Sequence, residues 1–99
     1  LTAGQSVLIN GASGAVGGYA VQLAKQAGAV VTATARERDA DRLRGLGADR
    51  IVGHLDYSSS PIEVDGGPFD VVLNLVSTTD EQTEALLDAT RPGSTAAAE

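Results

Sequence analysis

The sequence predicts an α/β protein with a doubly wound parallel sheet covered by helices on both faces. Its short apolar runs, the first at residues 7–9, are continuous rather than alternating, which is typical of strands buried on both faces. Segments with apolar residues at helical spacing separate these runs. Such alternation of strands and helices favours a parallel sheet whose strands are joined by crossover helices.

Each predicted element has its own pattern and end signals. The first helix runs from Val16 to Ala27 on an apolar stripe of Val16, Ala20, Leu23, Ala24 and Ala27. Lys25 followed by Gly28 suits its end. The predicted strands cover residues 7–9, 30–35, 50–52 and 69–76, with a weaker, alanine-rich candidate at 94–99. The other predicted helices cover 39–46 and 79–91, the latter ended by Pro92-Gly93, and 53–68 is predicted to be a loop. Together they predict one domain over residues 1–99 that stops before the last strands of its sheet.

Composition excludes several classes of function. The chain has no Cys and one His, which excludes disulfides, thiolate zinc sites and a cysteine nucleophile within these residues. No apolar run of about 18 residues is present to span a membrane, and no secretory leader opens the sequence. We therefore expect no metal site, no membrane contact and a cytoplasmic location. Because the chain begins at Leu1 and contains no Met, we also expect it to be a piece of a longer protein.

The net charge of −6 is spread unevenly. Four of the seven cations lie between Arg36 and Arg44, whereas residues 51–99 carry nine acidic groups and one basic group. Nucleic-acid binding needs a broad positive face, so we expect no nucleic-acid partner. One cationic cluster on an acidic protein instead suits a single small anion.

A glycine-rich turn joins the first predicted strand to the first helix. Residues 11–17 are Gly-Ala-Ser-Gly-Ala-Val-Gly, in which Ala12 takes the first glycine position of the dinucleotide-binding fingerprint. Gly14 would let the backbone approach a pyrophosphate, and Gly17 would let helix and strand pack closely. A helix N-terminus attracts anions, so this turn predicts a Rossmann-like fold that binds a dinucleotide. The alternative is a tight turn without a ligand, as in flavodoxin-like folds.

Two other chemistries do not fit the turn. Ser13 would be a nucleophile in Gly-x-Ser-x-Gly, but the closing position is Ala15, and His54 is the only imidazole in the chain. A Walker-type phosphate loop needs a Gly-Lys pair, and the first lysine is Lys25.

The end of the second strand indicates which dinucleotide is bound. NAD-binding folds place a carboxylate there, about 20 residues past the glycine loop, to bind the ribose hydroxyls; here that position is Thr34. The guanidinium groups of Arg36 and Arg38 follow and can hold a phosphate through paired hydrogen bonds. This pattern favours NADP over NAD. The alternative is a solvated helix face paired with nearby acids, which we prefer for Arg42 and Arg44.

Five stretches carry a resemblance to a known family. They are QSVLINGASGAVG (5–17), AVQLAK (20–25), ATAR (33–36), LRGLGAD (43–49) and FDVVLN (69–74). Together they resemble the cofactor domain of medium-chain dehydrogenases/reductases, in particular the zinc-independent quinone oxidoreductase (zeta-crystallin-like) branch. A short-chain reductase or epimerase stays open as an alternative. Its Gly-x-x-Gly-x-x-Gly loop also fits, although neither tyrosine is followed by the Lys four residues on which that class needs.

The resemblance implies a set of cofactor contacts, at Ser13, Gly14, Ala15, Val16, Thr34, Arg36, Arg38, His54 and Val76. The backbone of the first four would contact the pyrophosphate, and the next three would lie at the 2′-phosphate. His54 matches an aromatic beside the adenine, and Val76 matches a turn beside the ribose. Many members have a Lys where this chain has Ala40, and a Gly where it has Ser77.

The resemblance also implies an activity. The chain would be the NADP(H)-binding part of an oxidoreductase that transfers hydride from NADPH to a quinone, an enone or a similar small carbonyl compound. In this family the substrate pocket and any zinc ligands come from a separate domain, so we expect no catalytic residue here and an isolated chain that is inactive. The whole protein is expected to be a homodimer. The alternative is a nucleotide-binding or structural module without catalysis.

Overall fold

The computed structural model describes residues 3–53, 55, 64, 67–75, 82 and 90–98. Within these residues, five parallel strands form one sheet in the order β3-β2-β1-β4-β5. The strands are β1 (Ser6–Asn10), β2 (Val30–Thr34), β3 (Arg50–Val52), β4 (Phe69–Asn74) and β5 (Thr90–Ala98). The helices are α1 (Ala15–Gln26) and α2 (Ala40–Leu46), the second preceded by a 3₁₀ turn at Glu37–Asp39. The strand order confirms the predicted doubly wound α/β class.

The order of the strands fixes where a ligand would lie. From β1 the chain moves outward to β2 and β3, then returns to the other side of β1 for β4 and β5. Open parallel sheets bind ligands beyond the carboxyl ends of the strands at the point where this order reverses. In this sheet that point lies between β1 and β4, directly beside the turn that leads from Asn10 into α1.

The strands at the centre of the sheet are buried on both faces, as their continuous apolar runs predict. Val7 and Ile9 of β1 pack with Val21 of α1 and Leu43 of α2 in one cluster. Leu8 points to the opposite face. There it belongs to a second cluster with Phe69 and Val72, against which Leu55 and Val64 pack. The two described helices therefore cover one face of the sheet. The predicted helix 79–91 lies outside the described residues, apart from helical Gln82 and the first two residues of β5.

The predicted buried face of α1 is wrong at Val16 and Leu23 and correct at Ala24. Val16 and Leu23 are 57% and 64% exposed, whereas the buried residues of the helix are Gly17, Gly18, Val21 and Ala24. The cause is close packing. A Cβ on Gly17 would come within 2.6 Å of the carbonyl carbon of Ala12, so α1 packs directly against the backbone of Ala12 at this position.

The end of the predicted third helix is also wrong. Thr90 already belongs to β5, where it pairs with Phe69, so Pro92 and Gly93 lie inside a strand and do not end a helix. The pairing shifts between Phe69 and Val71, and the regular ladder resumes at Thr95. A proline cannot donate to a ladder and is tolerated at such irregularities. The weak strand predicted from residue 94 is thus present, with an irregular beginning.

The described residues lack two features. No helix among them combines the length and apolar character needed to cross a membrane. No group of three or more His, Cys, Asp or Glu side chains that could hold a metal ion occurs in the same part of the chain.

Candidate cofactor site

The glycine turn begins with a backbone conformation that side chains disfavour. Gly11 has φ +89°, in the left-handed region where a glycine carries no steric penalty. Its N–H donates to Thr34 Oγ1 at 2.7 Å, and the next N–H, that of Ala12, donates to the Thr34 carbonyl at 2.9 Å. The first half of the turn is therefore held by the last residue of β2.

The second half of the turn opens onto the N-terminus of α1. Gly14 is the cap residue of the helix, no side chain caps the helix, and its first turn carries no acidic residue. The first N–H groups of an α-helix lack acceptors within the helix, and Gly14, Ala15 and Val16 are exposed. A Cβ on Gly14 would meet no atom within 4 Å. Open space in front of exposed N–H donors fits a pyrophosphate group.

Ser13 links the glycine turn to the segment after β2. Its hydroxyl oxygen accepts a hydrogen bond from the Arg36 N–H at 3.0 Å, and its carbonyl oxygen accepts one from Arg42 Nη2 at 2.8 Å. The Ser13 hydroxyl also hydrogen bonds to the Asp39 carboxylate. The turn and the arginine-rich segment thus form one connected unit.

Asp39 lies at the centre of this unit. Its Oδ2 is 3.1 Å from Arg36 Nε and its Oδ1 is 3.3 Å from Arg42 Nη2. Burial disfavours the charged carboxylate, but hydrogen bonds from Arg42 and Ser13 and the charge of Arg36 outweigh it and hold the pKa of Asp39 below its ordinary value. The side chains of both arginines stay about half exposed, at 49% and 46%, so each can still meet an anion.

The roles of the four arginines differ in part from the prediction. That prediction has Arg36 and Arg38 bind phosphate and has the other two, Arg42 and Arg44, on a solvated helix face. Arg38 is exposed and makes no ion pair within the described residues, which suits the predicted phosphate contact. Arg44 pairs with fully exposed Asp41 at 3.5 Å, as the solvated-face interpretation requires. For Arg42 that interpretation is incomplete, because its guanidinium also contacts the glycine turn. Arg42 also packs beside α1, since a Cβ on Gly18 would lie in ordinary contact with Arg42 Nη1, at 3.5 Å.

Thr34, which the resemblance places at the 2′-phosphate, has a buried side chain that hydrogen bonds within the sheet. Only 1% of the residue is exposed, and its hydroxyl faces Asn10 instead of solvent. Its Oγ1 donates to Asn10 Oδ1 at 2.8 Å, and Asn10 Nδ2 donates in turn to Asn74 Oδ1 at 3.0 Å. Sequence reasoning missed both asparagines; each is the last residue of its strand, a signal that could have marked them. The predicted contacts His54 and Val76 lie outside the described residues.

Fold and site together define a Rossmann-type cofactor domain. The family model described as "Zinc-binding dehydrogenase" matches residues 15–98. The chain belongs to this family, within the medium-chain dehydrogenase/reductase superfamily, and is similar to its quinone oxidoreductases, which confirms the resemblance drawn from the motifs.

Three curated relatives illustrate this membership. A spectinabilin polyketide synthase protein, NorB of Streptomyces orinoci, is 47% identical over 98 residues, covering 94% of this chain and 4% of that protein. A quinone-oxidoreductase homolog of Spinacia oleracea is 51% identical over 55 residues, covering 56% and 16%. The trans-enoyl reductase pgmF of Aspergillus terreus is 34% identical over 94 residues, covering 92% and 26%. The chain thus spans about a quarter of the length of these relatives or less.

Solved structures agree with the fold. The CurK enoyl reductase matches with a TM-score of 0.76 at 28% identity, over 99% of this chain and 30% of that chain. The yhdH oxidoreductase of Salmonella enterica, solved in complex with NADP, matches with a TM-score of 0.72 at 29% identity, over 95% and 28%.

Proposed function

We propose that the chain is the NADP(H)-binding domain of a zinc-independent oxidoreductase that transfers hydride from NADPH to an electron-poor double bond. One observation carries the proposal: Ser13 joins the glycine turn directly to Arg36 and Arg42. A ligand with a pyrophosphate and a second phosphate on its adenosine end would meet donors for both within one connected unit. NAD lacks that second phosphate.

The proposed roles follow from the position of each group. The N–H groups of Ser13, Gly14, Ala15 and Val16 would bind the pyrophosphate with the help of the α1 dipole. Arg38 would bind the 2′-phosphate with Arg36, because a guanidinium offers paired donors to phosphate oxygens. The hydride itself is supplied by the nicotinamide ring. The proposed role of this chain is to bind and orient the dinucleotide.

An enoyl group is the substrate class we favour. Two relatives that cover more than nine-tenths of the chain are a polyketide synthase protein and a trans-enoyl reductase, and a structural neighbour is an enoyl reductase. A quinone is the second candidate, because the Spinacia oleracea relative is 51% identical over the 55 residues that it matches. Both acceptors have an electron-poor double bond to which a hydride can add.

The full-length protein that carries this chain provides the test. Titration with NADPH and NADH, followed by nicotinamide fluorescence, should show NADPH bound about tenfold more tightly or better, which is about 1.4 kcal/mol. Equal affinities would overturn the NADP assignment, and no binding of either would leave the structural-module alternative. Turnover of crotonyl-CoA against 1,4-benzoquinone then separates the two substrate classes.

We also propose that the full-length protein is a homodimer. The family carries this proposal, because the proteins that contain such cofactor domains are usually dimeric. A monomeric mass by light scattering would contradict this proposal without affecting the assignment of the cofactor.

A further inference from the structure

Three neighbouring strands are tied together at their carboxyl ends by a single chain of side-chain hydrogen bonds. Gly11 N–H donates to Thr34 Oγ1 at 2.7 Å, Thr34 Oγ1 donates to Asn10 Oδ1 at 2.8 Å, and Asn10 Nδ2 donates to Asn74 Oδ1 at 3.0 Å. The three side chains come from β2, β1 and β4, and their residues are between 1% and 4% exposed. We call these three residues, Thr34, Asn10 and Asn74, the polar chain.

Strand pairing does not explain the polar chain. The backbone ladders already join β1 to β2, as in the pair Ile9↔Ala33, and β1 to β4 up to Asn10↔Asn74. Apolar side chains would satisfy the packing at these buried positions, whereas buried polar groups are costly unless each one is paired. What the polar chain holds, and the ladders do not, is the N–H of Gly11, where the glycine turn begins.

The polar chain also has a fixed direction. A hydroxyl has one proton, and that of Thr34 goes to Asn10 Oδ1, which leaves an oxygen lone pair for the Gly11 N–H. The Asn10 amide presents its oxygen to Thr34 because its nitrogen donates to Asn74. The last residue of β4 thus determines which way the hydroxyl at the end of β2 faces the glycine turn.

We propose that Thr34 is a positioning residue for the pyrophosphate site, with Asn10 and Asn74 fixing the direction of its hydroxyl. The polar chain sets the position of the glycine turn over the strand ends, so that the N–H groups after Ser13 are aimed at one place. This inference rests on the proposed dinucleotide function. It also gives residue 34 a second role beyond leaving space for a 2′-phosphate, because an ionised carboxylate there would have no proton for Asn10.

The test uses the full-length protein and three variants of β2. Thr34→Val removes the hydroxyl and keeps the shape, Thr34→Ser keeps the hydroxyl, and Thr32→Val is the matched control, since Thr32 is also buried, at 3% exposed, two residues earlier on the same strand. The ligands are NADPH and adenosine 2′-monophosphate, which has the 2′-phosphate but no pyrophosphate. Urea unfolding of each variant reports stability separately.

The expected result is a split between the two ligands. Thr34→Val should weaken NADPH about tenfold, equivalent to about 1.4 kcal/mol, and change adenosine 2′-monophosphate less than about twofold. Thr34→Ser should restore NADPH binding, and Thr32→Val should bind both ligands as the wild type does. In turnover, Thr34→Val should raise the KM for NADPH and leave kcat at saturation unchanged.

Other outcomes overturn the proposal. If Thr34→Val lowers stability but binds NADPH as the wild type does, or weakens both ligands equally, the hydroxyl has only a structural role. If Thr34→Val does not fold, Asn74→Ala decides: weaker NADPH binding with unchanged adenosine 2′-monophosphate binding supports the proposal, and unchanged NADPH binding overturns it. A wild type that binds neither ligand defeats the proposed function itself, which is a different result.

Discussion

Arg42 Nη2 lies 2.8 Å from the carbonyl oxygen of Ser13, so a cation of helix α2 touches the glycine turn. The contact brings together two parts of the chain that the sequence separates by 29 positions. A cation held at this point raises the positive potential in front of the α1 N-terminus, where the helix dipole already favours anions. The arginines at this site therefore include one from the helix that follows the strand.

Replacing Arg42 should weaken NADPH binding. In Arg42→Ala we expect the dissociation constant for NADPH to rise several-fold, because the variant loses a cation and the hydrogen bond that steadies Ser13. Fluorescence titration of the full-length protein measures the change. Arg44→Ala is the matched control, since among the described residues Arg44 forms an ion pair only with exposed Asp41. This variant should bind NADPH within about twofold of the wild type. Equal losses in the two variants would mean that only the overall charge of α2 matters.

Reversing the charge of Arg38 should separate the two dinucleotides. Arg38→Glu should weaken NADPH about tenfold or more and NADH far less, because a charge-assisted hydrogen bond to the 2′-phosphate, worth about 1.5–3 kcal/mol, is lost and repulsion is gained. The ratio of the two dissociation constants is the measurement. Arg50→Glu serves as control, because Arg50 is exposed at the amino end of β3, away from the strand ends that form the site. An equal loss of both dinucleotides in Arg38→Glu would refute the 2′-phosphate assignment.

Changing each of two glycines of the turn to alanine should affect a different property, stability for Gly17 and NADPH affinity for Gly14. Gly17→Ala should lower the free energy of unfolding by about 1–3 kcal/mol, the usual cost of overpacking, because its Cβ would press into the backbone of Ala12. Gly14→Ala should change stability by less than about 1 kcal/mol, because its Cβ would meet no atom within 4 Å. That Cβ would instead occupy the space proposed for the pyrophosphate, so NADPH affinity should fall.

Urea unfolding and NADPH titration of both variants test this pair. If the Gly14→Ala protein binds NADPH normally, the pyrophosphate does not lie in the space in front of Gly14. A Gly17→Ala protein as stable as the wild type would show that α1 can move away from Ala12 at little cost.

The sequence predicted those features that depend on neighbours along the chain. The glycine turn, the strand that precedes it and the end of α1 at Gly28 follow from local rules. Gly28 has φ +83° and its N–H donates to the Lys25 carbonyl at 2.9 Å. The features that depend on how elements pack were not predictable. An apolar count selected Val16 for the buried face of α1, because glycine does not register as hydrophobic.

In the site, too, the residues next to β2 could be predicted, whereas the contacts between elements could not. Arg36 and Arg38 could be proposed because they follow β2 directly, but the contact of Arg42 with Ser13 depends on how α2 packs beside α1. Thr34 could be identified by its distance from the glycine turn. That its hydroxyl faces inward follows from Asn10 and Asn74, which come together only when β4 returns to pair with β1.

The last prediction concerns acid. Asp49 Oδ1 pairs with Lys25 Nζ at 2.9 Å and its Oδ2 accepts from the Val31 N–H at 2.8 Å. Burial opposes the charged form, but the Val31 hydrogen bond and the Lys25 partner hold the pKa of Asp49 below its ordinary value of 3.8. A lowered folded-state pKa means that the carboxylate stabilises the fold fully above the unfolded-state pKa. This stabilisation is lost as pH falls through the folded-state pKa.

The difference in unfolding free energy between the wild type and Asp49→Asn should therefore be constant between about pH 5 and 7 and shrink as pH falls below the ordinary pKa of 3.8. Urea unfolding at a series of pH values measures it. Asp41→Asn is the control, because its carboxylate is fully exposed beside Arg44 and should give little difference at any pH. A difference for Asp49→Asn that persists undiminished at the most acidic pH would show that Asp49 stabilises the fold by its shape and hydrogen bonds rather than by its charge.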